Sequence, residues 1–341
     1  MAQINKSTDY FDISTWTATT SAISNLGFSP DWVWIKSTDS ANGHILFDTI
    51  RGANERLSSA SSAAESTRTD ELMSFDSNGY TLGSSGNTND TNPFNASYVG
   101  WSWRGSDSSA VSNTDGSITS TVSANTTSGF SIVSYTGNGT AGATIGHSLG
   151  FVPKMIIVKS RSDTGVWAVY NENIGNSNGL FLNANYNALS EPAFWNSTSP
   201  TSSVFSVGTS NDTNGSGRTY IAYCFAEKKG FSKFGSYTGN GSDDGTFVYL
   251  GFKPSFVMVK NTDNTRNWTI IDNKRNTFNP EDKFLYSDLS NAEGTLTALD
   301  FVSNGFKFRN ADTFWNASGS TYIYMAFAEE PLVGDNPATA R

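Results

Sequence analysis

The sequence predicts an all-β chain: three tandem β-sandwich domains, jelly-roll or Greek-key, built from an internal repeat of roughly 100 residues. Three observations carry this. One segment is written three times, each copy closes in a strand that opens on Tyr, and the composition is aromatic, glycine-rich and poor in charge.

The repeated segment is clearest in its last copy. There Leu250-Gly251-Phe252-Lys253-Pro254 leads into an apolar run ending at Lys260, a polar turn, and Trp268-Thr269-Ile270-Ile271-Asp272. The middle copy has Leu149-Gly150-Phe151-Val152-Pro153, a run ending at Lys159, and Trp167-Ala168-Val169-Tyr170-Asn171. The first has Leu26-Gly27-Phe28-Ser29-Pro30, a run ending at Lys36, and Ile45-Leu46-Phe47-Asp48. Gly permits unusual φ and Pro interrupts a hydrogen-bonded ladder, so a turn is expected just before each first strand. β-Branched and aromatic runs bounded by such turns read as hairpins.

The closing strands are Tyr98-Val99-Gly100-Trp101-Ser102-Trp103, Tyr220-Ile221-Ala222-Tyr223-Cys224-Phe225 and Tyr322-Ile323-Tyr324-Met325-Ala326-Phe327. Copies two and three share an opening, Tyr135-Thr136-Gly137-Asn138-Gly139 and Tyr237-Thr238-Gly239-Asn240-Gly241. Copies one and three share Ser-Asn-Gly ending at Gly79 and Gly305, and Asn-Ala-Ser beginning at Asn95 and Asn316.

Aromatic residues are 13% of the chain against 16% charged, with 31 Gly, which favours strands and turns over helix. The expected division is 1–105 as repeat one, 106–128 as a Ser/Thr-rich linker, 129–229 and 230–333 as repeats two and three, and 334–341 as a tail. Leu26 and Leu149 lie 123 positions apart and Leu149 and Leu250 only 101, and the linker accounts for the excess. Within repeat one, 51–71 is the one stretch expected to form a short helix or a long surface loop.

The net charge of −9 excludes the basic face that a nucleic-acid partner requires. No run approaches the ~18 apolar residues of a membrane span, and Met1-Ala2-Gln3-Ile4-Asn5-Lys6 lacks the apolar core of a signal peptide. The lone Cys224 sits in an apolar run and reads as a small buried hydrophobe.

Chemistry-bearing constellations are scarce. The two histidines, His44 and His147, have no partners at triad or zinc spacing and read as structural. No calcium loop has the required spacing, although Asp263, Asn264 and Asn267, or Asn211, Asp212 and Asn214, offer carbonyls in turns. No metal, cofactor or catalytic residue is expected. The recurring Asp-x-x-Arg, at Asp48/Arg51 and Asp272/Arg275, reads first as a salt bridge or turn cap and second as an edge site. Trp195 and Trp315, the latter beside Asn316, stand among polar residues; each is either core or a sugar-stacking platform. The Asn-x-Ser/Thr sites at Asn95, Asn138, Asn196, Asn240 and Asn316 reflect turn-rich composition.

Several phrases carry a resemblance. Tyr237-Thr238-Gly239-Asn240-Gly241, Gly245-Thr246-Phe247-Val248-Tyr249, the stretches 251–260 and 272–280, the opening 4–11 and the close 328–334 together resemble a family from tailed bacteriophages of marine bacteria and cyanobacteria. The resemblance covers essentially the whole chain. It implies a virion component, tail fibre-like or structural and non-enzymatic, assembled in the host cytoplasm. Its implied partners are other virion proteins and further copies of itself, three-fold as in fibres, with a host-surface glycan as ligand. Attachment is expected through 1–105, with repeats two and three projecting. The alternatives are capsid (head) decoration and a carbohydrate-binding module using Trp195 and Trp315.

Overall fold

In the computed structural model, which describes residues 4–17, 21–83, 96–106, 108–276 and 278–331, each copy of the repeated segment folds into an antiparallel hairpin. The described chain is all-β apart from a 3-10 turn at Ser7–Asp9 and one four-residue helix. Met1, the Asn95 site and the tail 334–341 lie outside the described residues.

The first set of strands comprises β1 (Phe11–Thr17), β2 (Ala22–Ile23), β3 (Trp32–Ser37), β4 (Ile45–Asp48), β5 (Gly52–Leu57), β6 (Ser66–Thr67), β7 (Leu72–Asp76), β8 (Gly79–Leu82) and β9 (Ser97–Trp103). The second comprises β10 (Val111–Asn113), β11 (Ser120–Asn125), β12 (Phe130–Thr136), β13 (Ala143–Gly146), β14 (Met155–Ser160), β15 (Trp167–Asn171), β16 (Asn178–Phe181), β17 (Leu189–Ser190), helix α1 (Pro192–Trp195), β18 (Val204–Val207) and β19 (Thr219–Phe225). The third comprises β20 (Ser232–Thr238), β21 (Phe247–Tyr249), β22 (Phe252–Asn261), β23 (Thr269–Asp272), β24 (Glu281–Tyr286), β25 (Gly294–Val302), β26 (Gly305–Phe308) and β27 (Thr321–Pro331).

One neighbour order recurs: β1-β9-β3-β4-β5, β12-β19-β14-β15-β16 and β20-β27-β22-β23-β24. Each closing strand is therefore central, hydrogen-bonded between the opening strand and the hairpin. A smaller group, β2-β8-β7 or β13-β18, accompanies the first two main sheets, whereas in the third set β25-β26-β21 continues the main sheet beyond β24. The turn before the hairpin uses positive φ at Gly150 and Gly251. In the third set the strand starts before its proline, and the register shifts at Pro254 absorb the missing donor.

The hairpin strands are buried at every position, on both faces. Alternation sends one face to a set's own core and the other to a shared one. Val33 and Ile35 pack with β2, β7 and β8 side chains, while Trp32 and Trp34 enter a cluster that all three sets line. Likewise Met155 and Ile157, with Phe256 and Met258, point to the shared cluster, and Ile156, Val158, Val257 and Val259 point to local cores. Within the shared cluster Trp32 stacks on Tyr223 at 4.4 Å, Phe11 on Phe327 at 4.9 Å, and Phe225 meets Phe327 at 6.2 Å.

Three expectations are corrected here. The three repeats are not independent: besides burying one core each, they share a fourth. Residues 106–128 are not a free linker: β10 and β11 extend the second main sheet, with Val122 in its core, Ser120 and Ser123 buried beside it, and Ser112 and Thr121 facing out. Residues 51–71 form no helix: β5 and β6, held by β4 and β7, are joined by a loop over 58–65, so the loop alternative holds for that part alone.

Interactions between sets close a ring. His44, Trp167 and Trp268 occupy one register position, opposite Lys36, Lys159 and Lys260 or directly beside the paired residues. Their ring nitrogens reach backbone carbonyls of the neighbouring set: His44 Nε2 to Tyr286 at 2.9 Å, Trp167 Nε1 to Ser58 at 2.9 Å, and Trp268 Nε1 to Phe181 at 2.8 Å. His44 Nδ1 accepts from Trp34 Nε1 at 2.8 Å, which fixes the neutral tautomer with the proton on Nε2.

The three lysines ending the hairpin runs are fully buried, with ammonium groups donating to turn carbonyls: Lys36 to Ser40, Lys159 to Ser160 and Asp163, Lys260 to Asn261 and Arg266. Burial lowers each from 10.5 to about 8. Between those values the unfolded chain binds more protons than the folded one, so stability rises with pH. Burial also raises the single thiol Cys224 and the phenols of Tyr135, Tyr223 and Tyr237, so the unfolded chain ionises first and these groups oppose the rise, the thiol from about pH 9 and the phenols from about pH 10. The urea midpoint is predicted to be higher at pH 9.5 than at pH 7.5, with Lys159→Met reducing the rise; a flat or falling midpoint contradicts this.

Candidate functional site

The residues singled out from sequence are mostly interior. Trp195 and Trp315 are 1% and 0% exposed, so neither offers a ring face to a sugar. Trp195 meets Tyr170 edge-on, and Trp315 donates Nε1 to Asn310 at 2.6 Å. The Asn316 amide donates to Asn240, Ser242 and Asn310 and accepts from Asn240 N, pinning the third-set loops together. The stacking-platform reading of these residues is corrected: polar neighbours in sequence serve as loop braces around buried rings.

Asp272 and Arg275 behave as the salt-bridge reading expects. Asp272 ends β23 and caps the following turn, accepting from the backbone N–H groups of Lys274 and Arg275 at 3.1 Å, while Arg275 Nε donates to Oδ2 at 2.8 Å. Trp101 Nε1 of the first set adds a bond at 3.1 Å. Asp48 and Arg51 repeat this, with Tyr223 Oη of the second set donating to Asp48 at 2.8 Å. Tyr223, Trp101 and Met325 share one register position opposite Ile157, Trp34 and Met258. The second set, which has Asn171 and Ile174 in place of the acid and the arginine, is thus matched with an apolar Met325 in the third.

Arg275 also reaches the surface of a cleft of about 350 Å³ between the first and third sets. One wall is aromatic: Trp16 stacks on Tyr98 at 5.4 Å, and a side chain at Gly100 would strike the Trp16 ring. Hydroxyls of Thr15, Thr17, Thr38 and Ser97 line the cleft. The charged residues are Lys274, Arg275, Lys283 and Glu293, whose carboxylate is held by Arg275 at 2.9 Å and Lys283 at 3.2 Å. Among the described residues Lys274 is in no ion pair, but it lies near enough to Asp12 to favour its charged form against burial, which raises that carboxyl. Sequence reasoning found Arg275 but not the cleft, because its walls come from β1, β9 and the turn after β23, distant in the chain.

Among the described residues no group of three or more His, Cys, Asp or Glu side chains comes together as a metal site. His44 and His147 are fully buried, and burial pushes both below the usual histidine range. No helix of the described residues is long and apolar enough to cross a membrane.

Truncating one member of a buried ion pair strands the other charge. Arg275→Ala is predicted to cost ~3–5 kcal/mol in urea denaturation. Asp272→Asn with Arg275→Ile, copying the second set, is predicted to cost less than the single change; a larger loss in the double variant contradicts this.

Neither a curated protein nor a solved structure matches the chain. A family model does, over residues 6–331, which takes in all three strand sets. The chain therefore belongs to the family described as Domain of unknown function (DUF7483).

Proposed function

We propose that the chain is a non-enzymatic virion structural protein of a tailed bacteriophage. In this reading it is a tail fibre or tail appendage acting in host-surface recognition and adsorption, made from three copies of one β-sandwich unit fused on a common core. The resemblance of 4–11, 237–241, 245–249, 251–260, 272–280 and 328–334 to tailed-phage virion proteins carries this reading. The architecture supports it: a body whose parts share a core resists mechanical and chemical stress as one piece, as an external particle component requires. Because 1–105 contributes Trp32, Trp34, Trp101 and Trp103 to that core, we assign attachment to a surface of the whole body rather than to 1–105 as a separate module.

Capsid decoration is the second reading, and it differs in location alone. Quantitative mass spectrometry of purified virions distinguishes them. A tail appendage is predicted at three to a few tens of copies, consistent with closed tail symmetry. Hundreds of copies assign the protein to the head, and none at all overturns the virion proposal. One copy is 36.7 kDa, so native mass spectrometry reads directly whether the appendage assembles as a trimer.

A further inference from the structure

We propose that the cleft between the first and third strand sets binds a carboxylate-bearing sugar unit. The argument uses the other two set boundaries as internal controls. Each boundary is made by the same backbone hydrogen bond: Glu65 N to Arg161 O at 2.9 Å, Ala188 N to Thr262 O at 2.9 Å, and Glu293 N to Thr38 O at 2.7 Å. Arg161, Thr262 and Thr38 are equivalent, each following its hairpin strand and donating its N–H to the start of a closing strand, at Thr219, Thr321 and Ser97. Arg51, Ile174 and Arg275 are likewise equivalent, three residues beyond Asp48, Asn171 and Asp272.

At the first-to-second boundary the space is closed by charge. Arg161 donates to both oxygens of Glu65, at 2.8 Å from Nη2 and 3.0 Å from Nε, and Arg51 adds a bond from the other side. At the second-to-third boundary the equivalents are apolar, Ile174 and Ala188, packed against the shared core. At the third-to-first boundary the short Thr38 stands where Arg161 stands, and the cleft opens there.

The charges diverge in the same place. Lys274 and Lys283 occupy the register positions of Ile50 and Glu55. The closed boundary thus sets Arg51 and Arg161 against Glu55 and Glu65, whereas the open one sets Lys274, Arg275 and Lys283 against Glu293, with Asp12 near Lys274 and Asp39 accepting from Ser97 N at 2.8 Å. Arg275 and Lys283 are engaged with Glu293, so the exposed Lys274 is the cation placed to receive a ligand carboxylate in competition with Asp12. The rest of the lining is polar and suits a sugar: Thr15, Thr38 and Ser97 offer hydroxyls, and the Trp16–Tyr98 stack lies buried behind them as part of the first set's core. Trp16 Nε1 is buried and makes no hydrogen bond among the described residues. The volume is at the small end of the roughly 300–1,000 Å³ of ligand pockets, room for one such unit.

This inference does not rest on the virion reading, since binding is measured on the purified full chain. The probes are sodium D-glucuronate, its neutral counterpart D-glucose, and inorganic phosphate, followed by ligand-observed NMR and calorimetry. Glucuronate is expected to bind at least tenfold more tightly than glucose or phosphate. Thr38→Arg, which reproduces the Arg161 arrangement, should abolish binding without lowering Tm. Lys274→Ala, at an exposed side chain, should weaken it at least tenfold and keeps the test valid if Thr38→Arg fails to fold. No glucuronate binding, or binding that survives both substitutions, overturns the site. Equal binding of glucose overturns the role of charge, and equal binding of phosphate overturns the sugar.

Discussion

The stacking of aromatic rings from three strand sets into one core is the constraint on which the structure depends. Trp32 touches Phe130, Tyr223 and Phe225 of the second set, and Phe256 of the third touches Phe11, Trp101 and Trp103 of the first. Rings of this size bury large areas and dominate core energetics. No main sheet is covered on its inner face until the other two are in place. Once they are, the polar features follow: neutral His44, the indole bonds to neighbouring carbonyls, and the capped lysines all lie where a strand end passes beneath another set.

The polar interior shows three solutions to one packing problem. Two boundaries bury an Asp–Arg pair and supply a hydrogen-bond donor from the next set, Tyr223 or Trp101. The other replaces the pair with Asn171 and Ile174 and the donor position with Met325. Buried ion pairs contribute little net stability over apolar substitutes, so both arrangements are compatible with one backbone. What a boundary cannot tolerate is half of either.

Much of the fold was legible in the sequence. The Leu-Gly-Phe-x-Pro turns, the hairpins and the Tyr-initiated closing strands mark the recurrence without any coordinates. Continuous runs such as Trp32-Val33-Trp34-Ile35 also held a signal that went unused: a strand without alternation is buried on both faces, which already points to a shared core. The 106–128 segment differs from a linker because its few apolar residues, Ile118 and Val122, reach the second set's core and carry small buried serines, Ser120 and Ser123, in with them. Trp195 and Trp315 misled for a related reason, since polar neighbours in sequence say nothing about what packs over a ring. The cleft was out of reach, because it arises from a combination of side chains at equivalent positions, Thr38 against Arg161 together with Arg275 and Glu293 against Ile174 and Ala188, that only the strand register aligns.

The central claim is that the three sets form one cooperative unit. Hydrogen exchange followed by mass spectrometry, under conditions where exchange reports opening equilibria, tests it most directly. The central strands β9, β19 and β27 are predicted to share a single opening free energy, equal to that of global unfolding. Three distinct values, or one set exchanging fully while the others stay protected, would contradict it.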